Sequence, residues 1–128
     1  MFQPVAAFSG FSTNDLAKTK EFYGQTLGLE VESTSAGLTI HLPGGGSAFA
    51  YPKDDHRPAT FTMLDFVVTD IDEAVDELLK RGIVFERYEG MQQDDKGIAR
   101  GLSHDMGPDI AWFKDPAGNI LAVLQDKA

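Results

Sequence analysis

The chain has no cysteine among its 128 residues. Disulfides, thiolate nucleophiles and cysteine metal sites are therefore excluded. Basic side chains are scarce, with 11 Lys and Arg against 20 Asp and Glu, a formal charge of −9. Such a balance repels phosphate backbones and anionic lipid, so neither nucleic acid nor a membrane is expected as a partner. No apolar run is long enough to span a bilayer, and the stretch from Met1 to Phe11 lacks the basic residues that open a signal peptide. A cytoplasmic location is the expectation. What the chain does hold is 42% hydrophobic residues, enough for one domain with a proper core.

The stretch Ala111 to Leu124 reads as two apolar strands folded across Asp115-Pro116-Ala117-Gly118. Proline presets one turn dihedral, and glycine and asparagine tolerate positive φ. In the simplest hairpin Phe113 lies opposite Ile120 and Ala111 opposite Ala122, leaving Trp112, Leu121 and Val123 on the other face. Upstream, Pro4 to Ser12 is strand-like. Thr13 or Asn14 can cap a helix whose stripe runs Asp15, Leu16, Thr19, Phe22, Tyr23 and Leu27, ended by Gly28. Strands follow at 29–33, 37–42 and 47–52, with Pro43-Gly44-Gly45-Gly46 as a turn. No helix or Lys-Ser/Thr pair follows those glycines, which argues against a phosphate loop.

A polar linker covers 53–60, and then the pattern restarts. Residues 61–68 form a strand, and Thr69 caps a helix with the stripe Ile71, Ala74, Val75, Leu78 and Leu79. Gly82 ends it and 83–88 returns as a strand. A polar loop from Glu89 to Pro108 then leads into the hairpin. The acidic residues Asp70, Asp72, Glu73, Asp76 and Glu77 read as a solvated helix face. With an offset of about 55 residues the two halves overlie. The expected fold is α+β: two βαβββ modules, about 4–52 and 61–126, in one domain. A curved mixed sheet would surround a cavity, with helices on its convex side.

This plan resembles the vicinal oxygen chelate superfamily of glyoxalases, bleomycin-resistance proteins and extradiol dioxygenases. The carrying residues are Asp15-Leu16, Phe22-Tyr23 and Leu27-Gly28-Leu29 in the first half. In the second they are Thr69-Asp70-Ile71 and Asp115 to Asn119. The resemblance implies four cavity-facing metal-ligand positions, which here hold Phe8, Ala50, Met63 and Ala122; a shift of one residue would bring Phe49 or Tyr51 to the second. None supplies imidazole or carboxylate, so no metal and no cofactor is expected. The resemblance then points to the family's metal-free branch: a homodimer that binds a small apolar or aromatic compound, as in drug sequestration.

By strand parity the pocket wall includes Phe8, Gly10, Ser12, His41, Ala50, Met63, Asp65, Phe113 and Ala122, with Thr39, Ala48, Val67 and Ala111 beside them. Asp65 interrupts an apolar strand, either as an anchor or base for a ligand or paired with Arg100 or Lys96. His41 is the second candidate base. The alternative function is thus a metal-independent lyase or isomerase using Asp65 or His41. Histidines 41, 56 and 104 would be the material for an unexpected metal site. Ser103-His104-Asp105 holds a triad's residue types, but sequence neighbours do not converge on one point. That loop, with Tyr88, Met91, Gln92, Lys96 and Arg100, reads either as a flap over the pocket mouth or as a disordered connection.

Overall fold

The computed structural model describes residues 1–127. The chain falls into two compact units, Met1–Arg57 and the chain from Pro58 onward, the boundary lying inside the expected linker. Each is an unclosed four-stranded mixed sheet with one helix, so the chain is α+β with two βαβββ modules.

The first unit comprises β1 (Ser9–Thr13), α1 (Leu16–Glu21), β2 (Glu30–Ser33), β3 (Leu38–His41) and β4 (Ser47–Pro52). Its sheet order is β1-β4-β3-β2, with β1 parallel to β4 and the other pairs antiparallel. Asp15, rather than Thr13 or Asn14, caps α1 by accepting the Lys18 N–H at 3.0 Å. Thr13 turns inward instead, its buried hydroxyl 2.8 Å from that of Thr19. The helix does not continue as α to Leu27: Phe22–Thr26 widen into a π turn, with Tyr23 wholly buried and its ring 5.6 Å from that of Phe11. Gly28, at φ +76°, ends it as expected. Leu38 and Ile40 pair with Ala50 and Ala48 and are buried with Phe11. Gly10, Ser12, Thr39, His41, Phe49 and Tyr51 alternate with these and occupy the opposite face.

The second unit comprises β5 (Thr62–Val67), α2 (Ile71–Lys80), β6 (Ala99–Arg100), β7 (Asp109–Lys114) and β8 (Ile120–Gln125), in the order β5-β8-β7-β6. Asp70, not Thr69, caps α2 by accepting the Glu73 N–H at 3.1 Å. Ile71 and Val75 are buried, and Ala74 and Leu78 pack beside them. Leu79 leaves the expected stripe and is exposed. At the far end Ile83 N–H donates to Leu78 O and Gly82 N–H to Leu79 O. This closure requires the positive φ of +89° that Gly82 supplies. Residues 83–88 do not form the expected strand. The Glu86 N–H donates to Trp112 O of β7 at 2.7 Å, but no ladder follows from it among the described residues. The module's remaining strand is β6, inside the segment expected to be loop.

The hairpin turn is one residue longer than the simplest reading. Buried Asp115 accepts the N–H of Ala117 (2.9 Å) and of Asn119 (3.0 Å) and the Asn119 side-chain amide (3.0 Å). Asn119 therefore belongs to the turn, and Lys114 pairs with Ile120. The register slips by one: Trp112 lies opposite Ala122, Phe113 opposite Leu121 and Ala111 opposite Val123. Ala111 and Val123 join Ile71, Val75 and Ile98 in the core under α2. Each wholly buried large aliphatic side chain there contributes about 1.5–3 kcal/mol.

Candidate functional site

In the first unit the register puts Gly10, Ser12 and His41 on the face away from α1. Phe8 precedes β1, with its ring edge-on to Phe49 at 6.3 Å. Ser12 Oγ lies 2.6 Å from His56 Nδ1, and His41 Nε2 lies 2.8 Å from Glu32 Oε1 on an exposed strand surface. Ala50 requires a correction, as does Ala48. Both are buried on the helix side, Ala50 opposite Leu38 and Phe11. Phe49 is the residue that faces with Gly10.

In the second unit Asp65, Ala122 and Trp112 form a row across β5, β8 and β7. Met63 sits at a bulge between Thr62 and Leu64. Phe113 and Ala111, expected on the cavity wall, share the face of β7 opposite to Trp112 and are both buried, the Phe113 ring edge-on to Phe85 at 5.7 Å. The Trp112 indole takes that wall in its place. Its Nε1–H donates to Thr62 Oγ1 at 3.1 Å, so the ring reaches from β7 over β8 to β5. Ala122 on the intervening strand is wholly buried. Asp65 is exposed and has no hydrogen-bond or ion-pair partner among the described residues, while desolvation pushes its carboxyl above the ordinary range. The expected partners Arg100 and Lys96 are engaged elsewhere.

Against the outer face of β7 the 89–108 segment walls an open cleft of about 760 Å³, within the size range of small-molecule sites. Trp112, Ile110, Ile98, Met91, Met106 and Pro108 supply its apolar lining. Gln92, Gln93, Asp94, Arg100 and His104 supply its polar one. The segment is built, not a disordered connection. The Gln93 side chain accepts from Tyr88 N–H (2.9 Å) and donates to Glu86 O (2.9 Å) and Gly97 O (2.7 Å). Asp94 accepts the N–H of Lys96 (3.0 Å) and Ile98 (2.9 Å) and, through its other oxygen, Arg100 Nε–H at 3.0 Å.

Arg100 closes this framework. It grips Asp72 through both terminal nitrogens at 2.7 and 3.1 Å and reaches Asp109 at 3.5 Å. Lys96 pairs with Asp76 at 2.9 Å and Asp72 at 3.5 Å. Asp72 and Asp76 are thus not simply a solvated helix face; they tie α2 to the 94–100 segment. The Arg100 hydrogen bonds hold the Asp72 carboxyl below its ordinary value. Burial acts to raise Asp94, but the Ile98 and Lys96 N–H groups and Arg100 outweigh it and lower its pKa. Arg100, charged in turn by its Asp72 bonds, is raised. Behind the cleft the Tyr88 ring stands edge-on to Trp112 at 5.5 Å; its hydroxyl is buried without a partner among the described residues, and burial and Glu86 push its pKa up.

Neither Phe8 and Phe49 in the first unit nor Met63 and Ala122 in the second carries the nitrogen or oxygen donors that a divalent cation needs. The donor set does not fit a metal of the family's type. Among the described residues no three His, Asp or Glu side chains gather into a metal-binding group, histidines 41, 56 and 104 included. No described helix is long and apolar enough to cross a membrane.

The fold and site define a protein of two βαβββ modules, the second bearing an open cleft with a mixed apolar and polar lining. A model of the Glyoxalase/Bleomycin resistance protein/Dioxygenase superfamily matches residues 6–123, and the chain belongs to that superfamily. Nothing among curated proteins matches it. Among solved structures it is similar to a glyoxalase family protein from Enterococcus faecalis, at 23% identity, 97% and 99% coverage of the two chains and TM-score 0.68. It is also similar to a superfamily member from Sphaerobacter thermophilus DSM 20745, at 24% identity, 95% and 98% coverage and TM-score 0.66. A third is TnmS3, an antibiotic binding protein from Streptomyces sp. CB03234, at 21% identity, 98% and 100% coverage and TM-score 0.66.

Trp112 is the cleft-lining residue that strand parity left off the pocket wall. The signal was available in Asp115 and Asn119, whose side chains favour the longer turn that turns the indole to the cleft side.

Proposed function

We propose that the protein binds a small, largely apolar or aromatic compound without transforming it, as a protective or sequestering protein would. The observation that carries this reading is the preformed cleft whose wall is the Trp112 indole with Ile110, Met91 and Met106. A similar fold serves antibiotic binding in TnmS3, which supports the reading without fixing the compound. In this reading the two modules work as one domain in a cytoplasmic homodimer with no cofactor; native mass spectrometry reports subunit count and any bound mass.

The test is a thermal-shift screen with planar aromatic compounds. A compound at about a hundred times its Kd stabilises the folded state by about 2.7 kcal/mol. The expected result is a saturable rise in Tm, quenching of the sole tryptophan, loss of both in Trp112→Ala, and recovery of the compound unchanged. Absence of any shift across the panel refutes the reading. One observation favours a second, enzymatic reading: Asp65 has no partner among the described residues and its carboxyl is raised by desolvation, as a general base for a lyase or isomerase would be. His41 has less to recommend it, since it is engaged with Glu32. Turnover that survives chelator and vanishes in Asp65→Asn would establish that alternative.

A further inference from the structure

We infer that the cleft selects electrically neutral aromatic molecules carrying hydrogen-bonding substituents, and that Gln92 and His104 are the residues that read those substituents. This rests on the binding reading above and names the class of compound. Only two lining side chains carry a formal charge, Asp94 and Arg100, and they bond to each other at 3.0 Å. The remaining Arg100 donors are taken by Asp72 and Asp109. The second Asp94 oxygen is taken by the N–H groups of Lys96 and Ile98. An anionic ligand must therefore displace carboxylates from the guanidinium, and a cationic one must displace the guanidinium from Asp94. Either exchange strips a partly buried charge of its partner, which is costly. The cleft wall is thus formally neutral although the chain carries −9.

The Gln93 amide is likewise occupied, by Tyr88, Glu86 and Gly97. Among the lining residues Gln92 and His104 have no side-chain hydrogen bond within the described residues. An amide and a neutral imidazole each offer one kind of donor and one kind of acceptor. That pairing matches hydroxyl and carbonyl groups on the rim of a ring held against Trp112.

The test measures binding at neutral pH by equilibrium dialysis, using naphthalene, naphthol, naphthoate and naphthylmethylammonium as probes of one ring size. Naphthol is expected to bind about tenfold tighter than naphthalene and than either ion, the gain of one or two net hydrogen bonds. Gln92→Ala with His104→Ala, both exposed positions, should erase the advantage of naphthol over naphthalene measured in the same variant. Tighter binding of either ion overturns the inference, as does naphthol equal to naphthalene in the unaltered protein. In both cases the aromatic-binding reading stands. If no probe binds, the binding reading and this inference fail together.

Discussion

Replacing Arg100 with Met keeps most of the side-chain volume and removes the charge on which three carboxylates converge. Fully buried pairs broken in this way cost about 3–5 kcal/mol, and exposed ones about 0–1. Here the Arg100 side chain is 33% exposed, Asp94 27% and Asp109 12%, whereas Asp72 is half exposed at 49%. The Asp72 contribution must therefore be discounted for screening, and a loss of about 2 kcal/mol is expected at neutral pH. For a domain of this size that lowers Tm by roughly 6–10 °C. The pH dependence carries the sharper test. Asp72 and Asp94 have depressed carboxyl pKa values in the folded protein. They contribute stability above the unfolded value of about 3.9, lost as pH falls through the lower folded value. In the variant that contribution is gone and protonation relieves the repulsion. The gap between the two proteins should therefore be widest above about pH 5 and narrow as acid takes the pH below the ordinary carboxylate range. Urea unfolding across this range measures it. A gap under about 0.5 kcal/mol at neutral pH, or one that does not change with acid, would refute the framework assigned to Arg100.

Three further outcomes follow from the same geometry. Asp115→Ala leaves two turn N–H groups without their acceptor and should cost about 2–3 kcal/mol by urea unfolding; an unchanged midpoint would contradict the five-residue turn. Gly82→Ala meets no atom within 4 Å, so its cost is the backbone strain at φ +89°, about 1–2 kcal/mol in thermal unfolding. Asp65→Asn should raise stability at neutral pH, because a carboxyl raised in the folded state destabilises it as pH climbs through the unfolded value. That advantage should vanish below the ordinary carboxylate range, and a variant less stable at neutral pH would show that Asp65 has a favourable partner.

Much of the architecture was legible because periodicity and punctuation are local. The stripe Ile71, Val75 and Leu78, the stops at Gly28 and Gly82, and the bounds of β4 need only neighbours within a few residues. The caps were displaced by one residue, from Asn14 to Asp15 and from Thr69 to Asp70, since competing cap residues sit side by side and burial of Thr13 decides between them. The strand expected at 83–88 failed for a different reason. An alternating run becomes a strand only if successive residues share a ladder; here β6 takes Asp109 and Ile110 of β7, and Glu86 makes a single backbone bond further along, to Trp112.

The sequence by itself determined the doubled βαβββ plan, the charge, and the lack of metal-binding side chains at the positions to which the family resemblance pointed. Tertiary structure alone decided which face each residue takes. One added turn residue exchanged Phe113 for Trp112 on the cleft side, because strand side chains alternate and a single-residue slip reverses a whole face. It also decided that Arg100 serves three aspartates drawn from α2, from the segment before β6 and from β7. Such partners lie up to 28 residues apart, and the chain must close on itself before their charges can meet.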